Sequence, residues 1–134
     1  MVKKLLFYLL TISVFSACSQ GAKEESITFE EVKTAITEQG FVLDDADLPS
    51  ENAFIQALNG VSPKAYFING DTLSIYVFPS VDAREKGSDD FEERNANGEV
   101  VEHKRYTNKN ILVFYEQGVE ETESKLNSAI NGLE

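Results

Sequence analysis

The fold is decided by the stretch KAYFINGDTLSIYVF, residues 64–78. Asn69-Gly70 is the strongest short signal for a two-residue β-turn, and alternating apolar residues flank it on both sides. The pattern predicts a hairpin with strands over residues 64–68 and 72–78. Whichever two residues form the turn, side chains of one parity share a face, and that face is the expected core. Its members are Tyr66, Ile68, Leu73, Ile75 and Val77.

The opposite face of this hairpin carries three aromatic residues, Phe67, Tyr76 and Phe78. A solvated strand face does not require three large rings, so they are either covered by another element or form a recognition surface. We expect them to be covered, because the chain ends in an amphipathic helix that can pack on this face. The apolar residues of that helix are Val119, Leu126, Ala129, Ile130 and Leu133.

Two helical segments are predicted before the hairpin. Thr28 and Glu31 form a capping box for the first, and Gly40 supplies the left-handed residue that ends it. Ser50 is expected to cap a second, short helix that ends at Asn59-Gly60. The apolar residues of the short helix are Phe54, Ile55 and Leu58.

A helix and a second hairpin are predicted after the first hairpin. Ser80 caps a helix over residues 81–95, in which Gly87 either breaks the helix or permits close packing on the sheet. The second hairpin spans residues 99–106 and 110–116, and its second strand is apolar on both faces, as in the centre of a sheet. His103 lies beside Lys104 and Arg105 on the outer strand and is expected to be exposed.

These elements together predict an α+β fold. Two hairpins form a four-stranded antiparallel sheet with helices packed on it, in the order αββαββ plus a C-terminal helix. That order resembles a permuted ferredoxin-like sandwich. Residues 27–134 would form this single domain.

Groups that carry chemistry are few in this sequence. One cysteine and one histidine serve zinc poorly, and there is no glycine-rich phosphate loop. Asp44, Asp45 and Asp47 could coordinate a hard cation, although the loop lacks the glycine and terminal glutamate of an EF-hand. We therefore predict no enzyme, no cofactor and no metal centre, with a small-ligand or cation-binding protein as the alternative.

The amino terminus has the pattern of a secretory signal. Lys3 and Lys4 precede an apolar run of residues 5–15, which is too short to span a membrane. The run ends in Phe15-Ser16-Ala17-Cys18, which resembles the lipobox of bacterial lipoproteins, with Phe15 in place of the usual aliphatic residue. The resemblance implies cleavage after residue 17 and a diacylglyceryl thioether on Cys18. Residues 18–26 would then be the lipidated cysteine and a tether, and the protein would be anchored on the extracytoplasmic side of the cell membrane.

A wider resemblance covers most of the predicted domain. The segments LNGVSPKAYFINGDTLSIYVF, AREKG and NKNILVFYE are similar to small uncharacterised lipoproteins of low-GC Gram-positive bacteria. Since those proteins have no established biochemical role, the resemblance implies the compartment and the fold, and no site.

The charge of the chain limits its partners. Loss of residues 1–17 removes Lys3 and Lys4 and no acid, so the net charge would fall from −11 to −13. So negative a protein is not expected to bind nucleic acid, or anionic lipid by charge. We therefore expect a membrane-anchored interaction or accessory module of the cell envelope, whose partner is an unknown envelope protein or a small ligand.

Overall fold

The computed structural model describes residues 25–116 and 118–134. The class is α+β, as predicted. The elements, in chain order, are α1 (Phe29–Glu38), β1 (Asp44–Asp45), a 3₁₀ turn (Ala53–Ile55), β2 (Lys64–Ile68), β3 (Asp71–Val77), α2 (Val81–Asn95), β4 (His103–Asn108), β5 (Ile111–Glu116) and α3 (Glu120–Asn131).

The first hairpin has the predicted geometry. Asn69 and Gly70 form its turn with φ angles of 50° and 85°, which is the left-handed region that a two-residue hairpin favours. Tyr66 lies opposite Leu73, and Ile68 opposite Asp71, so the predicted face is correct. Four of its five apolar residues are buried, and Val77 is half-buried.

The sheet has five antiparallel strands in the order β1-β2-β3-β5-β4, so the prediction of four strands was wrong. The additional strand is β1, whose Asp44 and Asp45 pair with Phe67 and Tyr66. β5 lies between β3 and β4, which confirms it as a central strand and β4 as an edge. The second hairpin begins later than predicted, at His103, and its two-residue turn falls at residues 109–110.

One face of the sheet packs against α1 and α3. Val32 and Ile36 of α1 and Leu126 and Ile130 of α3 are all completely buried against this face. Each helix presents a stripe of apolar residues at helical spacing, which is the pattern expected of a helix packed on one side. Phe41, which follows the left-handed Gly40, joins the same core.

The other face packs against α2 and the 3₁₀ turn, and its core consists mainly of aromatic rings. The buried residues are Phe54, Leu58, Tyr76, Phe78, Phe91, Leu112 and Phe114. Gly87 permits close packing: a Cβ built there would lie 2.4 Å from Cζ of Phe78, so only glycine lets the ring reach the helix backbone. The expectation that the final helix covers this face was therefore wrong. α2 covers β5 on this face, and α3 packs on the opposite face.

This distribution of helices also corrects the comparison with a ferredoxin-like sandwich. In a ferredoxin-like α+β sandwich the helices lie on one face of an antiparallel sheet. Here the sheet lies between two helical layers, with α1 and α3 on one side and α2 on the other. The two hairpins agree with the predicted plan, but the element order differs by the additional strand β1, and the layering differs as well.

The predicted helix ends are partly correct. Thr28 and Glu31 form both hydrogen bonds of the capping box, and the Ser80 side chain caps α2. The predicted short helix is only a 3₁₀ turn, and Asn52 rather than Ser50 caps it. Asn59 and Gly60 adopt positive φ in a tight turn that brings Leu58 and Val61 together.

Candidate interaction surface

A buried asparagine, Asn110, holds the segment through which the chain enters the domain. Asn110 Nδ2 donates to the carbonyl oxygens of Ile27 and Phe78, both at 2.9 Å, and Asn110 Oδ1 accepts from Ile27 N–H at 2.8 Å. Asn110 is 2% exposed, so water cannot take its place as the hydrogen-bond partner of these backbone groups. The segment that precedes α1 is thereby fixed to the turn between β4 and β5.

Other contacts gather at the same end of the sheet, which we call the entry end. Lys109 Nζ lies 3.3 Å from a carboxylate oxygen of Glu25, and the carbonyl of Lys109 accepts from Arg84 Nε at 2.7 Å. Asn108 Nδ2 donates to the carbonyl of Ile130, in the last turn of α3, and to that of Leu133, just after the helix. Thus α1 and α2 begin at the entry end and α3 finishes there.

The opposite end of the sheet, the far end, holds the β2–β3 turn and the start of α3. Tyr115 Oη donates to Asp71 Oδ2 at 2.5 Å and accepts from Val119 N–H at 3.5 Å. Burial, with the nearby Asp71 carboxylate, raises the pKa of Tyr115 above its usual value. Asp71 and Glu102 line one shallow groove of about 390 Å³ with Val119, so this end is acidic.

Two alternate side chains of the edge strand β4, those of His103 and Arg105, pack onto rings on the α2 side. The imidazole of His103 lies 5.0 Å from the Phe54 ring and 5.6 Å from the rings of Phe91 and Phe114. It is half-buried, so the prediction of an exposed histidine was wrong. Its Nδ1 is 2.9 Å from the carbonyl of Val101. These contacts make His103 part of the packing of the second face.

Arg105 extends this packing towards solvent. Its guanidinium lies 5.4 Å from the centre of the Phe91 ring and 5.5 Å from that of Phe114, within the range of cation–π attraction. One of its nitrogens lies 2.5 Å from a carboxylate oxygen of Glu92. Arg105 therefore lies across α2 and does not extend along the outer edge of β4.

On the α3 side of the same strand, Lys104 and Tyr106 border a groove of about 350 Å³. Lys104 Nζ is 3.9 Å from Glu123, and Tyr106 Oη donates to the Glu123 carbonyl at 3.3 Å. Burial raises the pKa of Tyr106 to about 12, and the Glu123 carboxylate adds to the shift. Glu120, Ser124 and Asn127 complete the groove.

A further groove, of about 450 Å³, runs between α1 and α3. Ala35, Ala129 and Leu133 form its floor, and Glu30 and Glu38 stand at its rim. It is open and shallow, and among the residues that the structure describes no histidine lines it.

The three aromatic residues considered as a recognition surface do not form one. Tyr76 and Phe78 are 0% and 1% exposed, whereas Phe67 is 37% exposed. Tyr76 Oη donates to the Gln56 carbonyl at 2.7 Å, and burial raises the pKa of Tyr76. The ring of Phe78 lies against Gly87, so only Phe67 remains accessible.

The acidic loop does not assemble a cation site. Asp44 and Asp45 are consecutive residues of β1, so their side chains point to opposite faces of the sheet. Within residues 25–116 and 118–134 no three histidine, cysteine or acidic side chains are placed to hold a metal ion. Cys18, the predicted lipid attachment site, lies outside the described residues, as do the predicted signal peptide and most of the tether.

Two features of this surface were not predicted from the sequence. From the sequence Asn110 is simply the first residue of a strand. Its partners, Ile27 and Phe78, are 83 and 32 positions away, so no local pattern indicates these hydrogen bonds. Arg105 looked like an ordinary charge on an edge strand. The apolar spacing of α2 places Phe91 on the sheet, which is the one clue that an aromatic surface lies beside Arg105.

The chain matches no protein-family model, no curated protein and no solved structure. In the part of the chain that the structure describes, no helix is both long and apolar enough to cross a bilayer. The function is therefore inferred from the residues and their geometry.

Proposed function

We propose that this protein is a lipoprotein, anchored through Cys18 on the extracytoplasmic side of the cell membrane, where it acts as a non-catalytic interaction module. The observation that carries the proposal is the fixed entry of the chain into the domain. Ile27 is held by two hydrogen bonds to buried Asn110, one through its N–H and one through its carbonyl, so the first residue after the tether has one defined position.

The tether between Cys18 and the domain is short, so the position of Ile27 determines which end of the domain lies near the membrane. Six residues separate Cys18 from Glu25. Even fully extended, the seven steps from one to the other span about 25 Å. A lipid on Cys18 would therefore keep the entry end close to the bilayer and direct the acidic far end away from it.

Charge does not set this orientation, because carboxylates lie at both ends of the sheet. Glu31 and Asp82, in the first turns of α1 and α2, lie at the entry end with Lys109 and Arg84. Asp71 and Glu102 line the groove at the far end. The orientation therefore rests on the short tether, and an anchored domain that stands on its entry end would offer its far end and its sheet edge to partners.

Membrane fractionation tests the anchor. The full chain, expressed in a bacterium, should remain in the membrane after a carbonate wash, and the Cys18→Ala form should be released. As a matched control, Cys18→Ala/Ser124→Cys keeps one cysteine but moves it to an exposed position of α3, and it should also be released. Retention of Cys18→Ala in the washed membrane would refute the anchor.

The orientation is tested with probes at the two ends of one helix. α3 runs from the far end to the entry end and is roughly 18 Å long. A fluorophore on Glu134→Cys should be quenched by nitroxide lipids in the headgroup region more strongly than one on Val119→Cys. Equal quenching of the two probes would contradict a fixed orientation while leaving the anchor itself intact.

A further inference from the structure

The outer edge of β4 differs from the other edge of the sheet. β1 contributes only two residues, both aspartates, at its own edge. β4 is six residues long and pairs with β5 alone in the described chain. An open strand edge of this length is a template for another strand, and natural proteins normally protect such edges.

The register shows which backbone groups of β4 are open. Phe78 N–H donates to the Asn110 carbonyl at 2.9 Å, so Asn110 and the alternate residues after it bond to β3. Ile111 and Val113 therefore bond to β4, and their partners there are Asn108 and Tyr106. The N–H and C=O groups of the residues between them face outward: those of His103, Arg105 and Thr107.

The charges that could protect this edge are held away from it. Arg105 lies over the Phe91 ring and contacts Glu92, and Lys104 is directed towards Glu123 on α3. Thr107 is exposed and uncharged. The edge is therefore accessible along its length, with a groove beside it on the α3 side.

The charge around the edge indicates what kind of strand fits. The two cations of β4 are already paired with Glu92 and Glu123. Among the described residues no cation lies within ion-pair distance of Glu102, which precedes the strand, or of Glu120 in the groove. An incoming segment thus meets an excess of negative charge on an acidic protein.

We propose that the β4 edge binds an extended, lysine- or arginine-bearing segment of a partner protein by strand addition. The backbone of that segment would pair with Arg105 and Thr107, and its basic side chains would lie near Glu120 and Glu102. This inference rests on the proposed interaction role and names the surface and the chemistry of the partner.

The test uses three synthetic heptapeptides with fluorescence anisotropy on the full chain in detergent. The first alternates lysine with threonine or valine, the second replaces each lysine by glutamate, and the third alternates lysine with proline. The third peptide keeps the positive charge, but each of its prolines lacks an amide hydrogen and fixes φ near −65°, which disfavours a pleated strand. We expect the first to bind at least tenfold more tightly than either of the others. Equal binding of the proline peptide would overturn the proposal, because charge alone would then suffice.

A matched pair of variants tests the edge itself. Thr107→Pro removes one outward N–H, and proline is tolerated on an edge strand where its nitrogen faces solvent. Thr107→Val keeps the N–H and the branched shape. The proline variant should lose at least tenfold in affinity and the valine variant less than twofold. Unchanged binding by a folded Thr107→Pro protein would overturn the proposal.

Amide hydrogen exchange on the wild-type chain gives a measurement that needs no variant. The first peptide should slow exchange at Arg105 and Thr107 and leave Thr72, on the β2–β3 hairpin, unchanged. If exchange slows at neither outward amide, strand addition is refuted. The proposal also fails if the chain dimerises through this edge and the dimer competes with the peptide. Because these experiments do not depend on the lipid, their failure is distinct from failure of the Cys18 anchor.

Discussion

α1 and α3 lie against one face of the sheet, and α2 lies with the short turn Ala53–Ile55 against the other. The first face buries mostly aliphatic side chains, which come from the strands and from two helices whose apolar residues recur at helical spacing. The second buries five aromatic rings under a helix that is mostly charged. The same sheet is therefore closed by two different kinds of packing.

The difference shows how a polar helix can cover a sheet. Only Gly87 and Phe91 of α2 are buried, yet the centre of the Phe91 ring lies 4.4 Å from that of Phe114. Each aromatic side chain buries about 150–250 Å², so a few rings replace a long aliphatic stripe. The consequence is that the second face depends on a few close contacts, whereas the first distributes its burial over many residues.

The largest effect is expected at the residue that joins the two faces. Asn110 binds Ile27, in the first core, and Phe78, in the second. Asn110→Ala leaves three buried backbone groups without their side-chain partner, at a cost of about 1 kcal/mol or more for each. We expect the free energy of unfolding, measured in urea, to fall by about 3 kcal/mol.

Asn131→Ala is the matched control, because the Asn131 amide donates to Asn127 on the exposed surface of α3 and holds no buried backbone group of the described chain. Its effect should be within about 0.5 kcal/mol. A loss below about 1 kcal/mol for Asn110→Ala would show that the two faces do not depend on this amide.

The second largest effect is expected at the contact between Gly87 and the Phe78 ring on the second face. Gly87→Ala places a Cβ against the Phe78 ring, and overpacking of this kind costs about 1–3 kcal/mol. Alanine regains about 1 kcal/mol of helix propensity. The net result should be destabilisation by about 1 kcal/mol, measured as the change in urea midpoint at constant slope.

Two further variants separate the contact from the backbone. Gly98→Ala has open space around its Cβ and should be neutral. In a Phe78→Leu background the obstructing ring is gone, so Gly87→Ala should become neutral or stabilising. If Gly87→Ala destabilises both backgrounds equally, the ring contact is not the cause.

The features that the sequence predicted correctly are those decided within a few residues. Asn69-Gly70 specifies its own turn, and Thr28 caps a helix whose third residue, Glu31, completes the box. The strand β1 could not be foreseen in this way. Asp44 and Asp45 are poor strand formers, and they pair because the backbone of β2 offers an open edge to them.

The position of α3 and the candidate surface are decided by tertiary contacts. Periodicity predicts that a helix has an apolar face, but it does not say which face of the sheet that stripe will meet. Phe91 already occupies the second face above Phe114, so Leu126 packs on the first. Likewise, the open edge of β4 depends on where Arg105 and Lys104 find their partners. Cys18 stays a prediction from the sequence.

Each face of the sheet buries a tyrosine whose ionisation makes the free energy of unfolding depend on pH. Burial raises the pKa of Tyr76 on the second face, and that of Tyr106 on the first to about 12, against an ordinary value of 10. The folded state therefore holds these protons more tightly than the unfolded state. Stability from this source is complete below about pH 10 and is lost as the pH rises from 10 towards 12.

Urea unfolding at pH 8 and pH 11 measures this loss. Tyr106→Phe should cost less than about 0.5 kcal/mol at pH 8, because its hydrogen bond to the Glu123 carbonyl is long, at 3.3 Å. At pH 11 the variant should lose about 1 kcal/mol less stability than the wild type does. An identical pH dependence in the two proteins would show that Tyr106 ionises freely in the fold.

The smallest effect is expected where the second face meets solvent. Arg105 contacts two rings and Glu92, but Glu92 is largely exposed, with 66% of its side chain accessible, so the ion pair contributes little. Arg105→Ala should cost about 0.5–1 kcal/mol, mainly from the lost stacking. Glu92→Gln removes the ion pair and keeps the stacking, and it should be neutral within about 0.3 kcal/mol. If the Glu92 variant costs as much as the arginine variant, or if 1 M salt abolishes the cost of Arg105→Ala, the ion pair rather than the rings holds Arg105 away from the β4 edge.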